Sequence, residues 1–148
     1  MKNLPLLFIL CLFYHASSAQ HDLNMLTDWE EAKAAAQTED KPILVILTGS
    51  NWCKPCMKME REVFGDQEFQ RWSKEHLVLF LIDVRTVNGS IQAESEEWKN
   101  YNTFKERYKA QTLPALILTD GNGKKIDALK KNFSKPNKVL EWLSQHRS

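Results

Sequence analysis

The run "KPILVILTGSNWCKPC", Lys41 to Cys56, constrains this chain more than any other stretch. From Pro42 to Leu47 every residue is apolar, over a length that suits a strand, and Gly49 ends the run. Apolar residues without alternation imply a strand wetted on neither face, as in the middle of a covered sheet. The next helical segment opens on Cys53 and Cys56, so two thiols two residues apart are delivered where a buried strand ends. By itself a C-x-x-C suits a redox dithiol, half of a metal site or a structural staple.

The chain's start reads as a targeting segment. Lys2 supplies a positive beginning and "LPLLFILCLFY" an apolar run too short for an ordinary membrane span. Ser17 and Ala19 then stand at the minus-three and minus-one positions of a cleavage before Gln20. The expectation is a signal peptide over 1–19, a single domain over 20–148, and an exported, periplasmic or secreted product. Cleavage removes Cys11 and leaves Cys53 and Cys56 as the cysteines of the mature chain. A disulfide-stapled secreted scaffold carries more cysteines at wider spacings. Two thiolates are also only half of a four-cysteine zinc site. The full chain has 20 basic and 19 acidic residues, and loss of Lys2 balances them. No basic run stands out, so no nucleic-acid partner is expected.

Along the mature chain, Thr27 and Glu30 form a capping-box pattern ahead of an alanine-rich helix. A helix follows the cysteines towards Phe64, and "QEFQRWSKEH" forms another beyond Gly65–Asp66. "LVLFLIDV" is a second buried-type strand, and the polar residues 85–95 read as a loop. "EEWKNYNTFKERYK" is amphipathic, with Tyr101, Phe104 and Tyr108 as a core-facing stripe. "ALILT" and a strand from Lys124 flank the turn "DGNG" as a hairpin. Ser134 is placed to cap a closing helix that has Pro136 in its first turn. The order is helix, strand, helix, strand, helix, strand, strand, helix: one α/β domain without repeats or linkers.

A strand leading into a helix sets Cys53 at the helix N-terminus, where free backbone N–H groups and the dipole favour a thiolate. Cys53 is then the partly exposed attacking thiol with a lowered pKa, and Cys56, one turn in, the resolving thiol. Lys54 adds a positive charge, and Pro55 sits where a missing N–H costs nothing. Trp52 flanks the site and shapes its docking surface. Met57 and Met59 point different ways, so at most one faces core. His21, His76 and His146 stand at no ligand spacing from the cysteines, and neither a metal nor a cofactor is expected. Asn88-Gly89-Ser90 and Asn132-Phe133-Ser134 are glycosylation triplets, which mean nothing if the source is bacterial.

"WCKPC" after an apolar strand, with "TLPALIL" further on, resembles the thioredoxin superfamily over roughly Trp29 to His146. The fuller pattern "GSNWCKPCMKMEREVFGDQEF" is similar to the soluble C-terminal domain of transmembrane thiol:disulfide interchange proteins. The resemblance implies a thioredoxin-like fold, a central mixed sheet of four to five strands flanked by helices. It implies a redox disulfide Cys53–Cys56, a cis Pro114 packed beside it, and substrate backbone pairing at Leu113. One departure matters. The buried aspartate that thioredoxins keep six residues before the first cysteine is Leu47 here. Glu60 lies four residues after Cys56 and seven after Cys53, where the interchange domain has a glutamate. It becomes the candidate acid/base if partly desolvated, against the alternative of a solvated glutamate beside Arg61 and Glu62.

The function expected is that of an exported thiol–disulfide oxidoreductase, tilted towards reducing or isomerising protein disulfides. Its partners are then substrate proteins with disulfides or thiols and an upstream thiol–disulfide electron donor, membrane-bound or soluble, with the chain itself a monomer. The competing classes on the same fold are a copper chaperone and a redox-inert interaction module.

Overall fold

The computed structural model describes residues 23–146; the expected signal peptide, its cleavage site, Cys11 and His21 lie outside the described residues. In chain order the elements are β1 (Met25–Leu26), α1 (Trp29–Glu39), β2 (Ile43–Thr48) and α2 (Lys54–Met59). A π-helical turn (Glu60–Phe64) continues α2, followed by α3 (Gln67–His76), β3 (Val78–Asp83), β4 (Thr86–Val87) and β5 (Ser90–Ile91). The chain closes with α4 (Glu96–Tyr108), β6 (Ala115–Thr119), β7 (Lys125–Ala128) and α5 (Pro136–Ser144).

Five strands form one mixed sheet in the order β1-β3-β2-β6-β7. The apolar run Ile43–Thr48 is its central strand and is buried throughout, parallel to β3 and antiparallel to β6. Its side chains alternate between two cores. Val45 and Leu47 join Phe80 and Ile117 under α1 and α4, while Leu44 and Ile46 join Leu79 and Leu118 under the α2, π-turn, α3 and α5 layer. Each such side chain contributes about 1.5–3 kcal/mol on burial, which is why the strand accepts no polar residue before Thr48. The aromatic stripe of α4 faces the first core: Tyr101, Phe104 and Tyr108 are all buried.

Several local expectations shift. The cap of α1 is Asp28, whose carboxylate accepts from the Glu31 N–H at 2.8 Å; Thr27 and Glu30 form no capping box. The three-residue offset is satisfied one position later by an acid, which also meets the positive end of the helix dipole. Ser134 does not cap α5. The Lys135 N–H closes a turn onto the Asn132 carbonyl, so Lys135 itself becomes the cap position, without a side-chain bond. The lead before α1 includes β1, which pairs with β3 at the sheet edge.

Residues 85–95 are not simply a loop. Thr86–Val87 and Ser90–Ile91 pair antiparallel around Asn88 and Gly89, which both have positive φ, 51° and 79°. A two-residue turn with positive φ at both positions is the one an Asn-Gly pair favours.

Candidate active site

Three segments converge at one end of the sheet. Parallel β2 and β3 both finish there, at Thr48 and Asp83, which are register partners. Antiparallel β6 starts there, Ala115 pairing with Leu47, so Leu113 and Pro114 precede it at the same end. The loop Gly49–Trp52 leaves this end and delivers Cys53 to the N-cap of α2.

Cys53 and Cys56 form a disulfide with their Cα atoms 5.2 Å apart. The two ends of that bond are unequal: Cys53 keeps 7% of its surface and Cys56 none. Cys53 is less exposed than the sequence implies, because its sulfur is bonded to Cys56. Even so, it is the end that a reactant reaches first. Pro55 lies in the first turn of α2, Lys54 is exposed beside the disulfide, and the Met57 N–H donates to the Cys53 carbonyl at 3.0 Å. Met59 is buried and Met57 exposed, so one of the two faces the core. The Leu113–Pro114 peptide is cis; Pro114 is buried and Leu113 half-buried.

Trp52 is 40% exposed, yet its indole is held. Nε1–H donates to the Val84 carbonyl at 2.6 Å. The ring lies over Gly49, where any Cβ would stand 2.7 Å from Cε2 and Nε1. Glycine is required there by close approach of the indole and not by its own backbone angle.

Glu60 begins the π turn, its N–H shared between the carbonyls of Cys56 and Met57. The helix meets the sheet along Cys56, Met59 and Val63, and Glu60 lies off that line. Its side chain is exposed, which is the solvated alternative and not the partly desolvated one. It lines a cavity of about 390 Å³ together with Thr48, Ser50, Phe64, Asp83 and Arg85. A larger cavity, about 570 Å³, opens at the other end of the sheet beside Pro42, His76 and Asp120, away from both cysteines.

Residues that drew no attention in the sequence stand out at this end. Asp83 accepts from the Ser50 N–H at 2.8 Å and from its hydroxyl at 2.5 Å. Asn51 exchanges two bonds with the Thr86 backbone, donating to its carbonyl at 2.8 Å and accepting from its N–H at 2.9 Å. The available signal was an acid closing the apolar run "VLFLID", where a strand must end and a polar partner be found. Among the described residues no three His, Cys, Asp or Glu side chains gather as a metal site.

Residues 29–147 match the family model described as a thioredoxin-like domain. The chain is 33% identical over 101 residues to the disulfide bond reductase DsbH of Chlamydia pneumoniae, covering 66% of this chain and 59% of that protein. It is 29% identical over 121 residues to the thiol:disulfide interchange protein DsbD of Actinobacillus pleuropneumoniae, covering 81% of this chain and 18% of that protein. The chain thus spans less than two thirds of either relative. Among solved structures, a DsbH oxidoreductase superposes with a TM-score of 0.69 at 23% identity, over 83% of this chain and 84% of that one. The oxidised C-terminal domain of DsbD from Neisseria meningitidis gives 0.59 at 18% identity, over 83% of this chain and 99% of that one. At these identities the superpositions speak for the fold.

Proposed function

The chain belongs to the thioredoxin-like family, and from that premise we propose that it is an exported thiol–disulfide oxidoreductase that reduces or isomerises disulfides of other proteins. The observation that carries this reading is the unequal Cys53–Cys56 disulfide, Cys53 keeping 7% of its surface and Cys56 none, at the start of a helix. In the reduced protein Cys53 is the attacking thiolate. It displaces one sulfur of a substrate disulfide, so one S–S bond breaks and a mixed disulfide forms. The Cys56 thiolate then attacks the Cys53 sulfur, restores the internal disulfide and releases the substrate as a dithiol. Two electrons pass to the substrate, and an upstream dithiol must return them.

Trp52, Leu113 and Pro114 form the docking surface in this reading, Leu113 pairing with extended substrate backbone. Lys54 and Pro55 tune the Cys53 thiol; Glu60, one helical turn from Cys56 but solvent-exposed, is the acid/base candidate that Glu60→Gln tests. Reduction as the direction is supported by the likeness to a protein named as a disulfide bond reductase. Residues 1–19 direct export and are then cleaved, and an exported chain whose sequence begins at Gln20 tests it.

The deciding measurement is the Cys53–Cys56 reduction potential against glutathione. A value near about −270 mV, in the range of thioredoxin, supports a reductase, and one near about −120 mV, that of a strong oxidant, overturns it. Cys56→Ser should accumulate the mixed disulfide with substrate through Cys53, and Cys53→Ser should accumulate none.

A further inference from the structure

We infer that Asp83 is a positioning residue for Cys53, acting through the Gly49–Ser50 peptide. The inference rests on the proposed role of Cys53 as the attacking thiol. One peptide unit joins the two ends of the argument. Its N–H, on Ser50, donates to Asp83 Oδ1 at 2.8 Å, and its carbonyl, on Gly49, accepts from the Cys53 N–H at 2.9 Å and from the Trp52 N–H at 3.3 Å. A carboxylate at one end of a peptide and a donor at the other polarise it in the same sense, and each bond strengthens the next. The Ser50 hydroxyl occupies the second carboxylate oxygen at 2.5 Å, so the plane of that peptide is fixed from two points. Among the described residues no lysine, arginine or histidine pairs with Asp83, which leaves both of its oxygens to Ser50.

The neighbouring residues continue the pattern. Asn51 is tied to Thr86 and Trp52 to Val84, so three consecutive residues before Cys53 are fastened to the chain that leaves β3. Opening the disulfide removes the covalent tie between Cys53 and Cys56. What then keeps the Cys53 sulfur at the start of α2 is this loop, and Asp83 is its one ionisable anchor. By holding the Cys53 sulfur at the start of α2, where the helix dipole favours the thiolate, the loop outweighs the opposing charge of Asp83, which touches neither reacting sulfur.

The test uses the full reduced chain and iodoacetamide, with alkylation at Cys53 read by peptide-resolved mass spectrometry across pH. Lys54, Glu60 and Arg85 are the other charged groups around the loop and its cavity, and they stay unchanged in every variant. Asp83→Ala should lower the Cys53 alkylation rate near neutral pH roughly three- to ten-fold, moving the profile up by about half to one pH unit. Ser50→Ala, which loses the hydroxyl bond alone, should fall between Asp83→Ala and the parent. Asp83→Asn keeps an oxygen for the Ser50 N–H and should restore most of the rate, as should Ser50→Thr. The double variant Ser50→Ala/Asp83→Ala should be no slower than Asp83→Ala. If Asp83→Ala lowers the melting temperature but leaves the alkylation profile in place, the residue is merely structural and the inference is wrong. Additive losses in the double variant, or Asp83→Asn behaving as Asp83→Ala, overturn it equally. If the order of rates holds while the parent chain reduces no protein disulfide, the oxidoreductase reading fails and the positioning role stands.

Discussion

Gly49→Ala offers the sharpest test of how Trp52 is seated. An added Cβ meets Cε2 and Nε1 of the indole at 2.7 Å and Cζ2 at 2.9 Å. Carbon contacts are comfortable at about 3.5–4.0 Å, so the ring must retreat by roughly 1 Å. It is not free to do so, because Nε1–H is bonded to the Val84 carbonyl at 2.6 Å. A retreat of that size carries the bond past about 3.2 Å and loses about 1 kcal/mol. Crowding adds about 1–2 kcal/mol, eased by the exposed outer edge of the ring. Alanine also restrains the unfolded chain, which offsets about 0.4–1 kcal/mol. The net expectation is a loss of about 1–2.5 kcal/mol by urea unfolding, with tryptophan emission altered as the indole moves. The same substitution in a Trp52→Ala background should be neutral or stabilising, since the space is then vacant. An equal cost in both backgrounds would refute the argument that the indole is what requires glycine at this position.

Glu60→Gln should slow closure of the Cys53–Cys56 disulfide about ten-fold or less near neutral pH and flatten its pH profile, as loss of a solvent-exposed acid/base would; an unchanged profile ends the proton-carrier reading. Gly123 has φ +84°, and a Cβ there would stand 2.5 Å from Cζ2 of Trp29, so Gly123→Ala should cost about 2–4 kcal/mol in urea unfolding. A loss below about 1 kcal/mol would show that the β6–β7 turn relaxes freely. The Trp142 indole, donating to Asp127 at 2.8 Å, holds that carboxyl below its usual value, aided by the Ala128 N–H and by His146 and Lys130, while burial opposes. Its contribution is therefore present above about pH 4 and lost as pH falls through the lowered value. Asp127→Asn should be less stable than the parent at pH 7, by under about 1 kcal/mol because the side chain is 40% exposed, and equal to it near pH 2. A stability gap of the same size at both pH values would contradict this.

The architecture was legible where burial is periodic or continuous. Ile43–Thr48 and Val78–Asp83 read as inner strands because an unbroken apolar run has no other comfortable place, and Tyr101, Phe104 and Tyr108 marked the inner face of α4. Features set by single hydrogen bonds were not legible. Thr27 and Asp28 are both good caps, and only the geometry of α1 selects the second. The β4–β5 hairpin carried its signal in Asn88-Gly89, but its flanking strands are two residues each and polar enough to pass for a loop. At the site, the cysteines were found by spacing. Asp83 is 30 residues from Cys53 in sequence and reaches it through a peptide of the intervening loop, a relation no local pattern encodes.

Leu47 shows how such a site can keep its acids without the buried aspartate of thioredoxins. Successive residues of a strand face opposite sides of the sheet. Leu47 therefore belongs with Val45 and Phe80 in the α1/α4 core, while Thr48 and its register partner Asp83 face the side of α2 and the π turn. An ionised carboxylate at 47 would stand among apolar side chains with no partner, at a cost of several kcal/mol. On the opposite face the last rung of β2 and β3 opens onto the cavity that Glu60 and Arg85 also line, where a carboxylate keeps its solvation. The helix carrying the cysteines passes over that same face. The acids of this chain thus lie one residue further along and one sheet face across: Asp83 orients the loop that bears Cys53, and Glu60 stands one helical turn from Cys56.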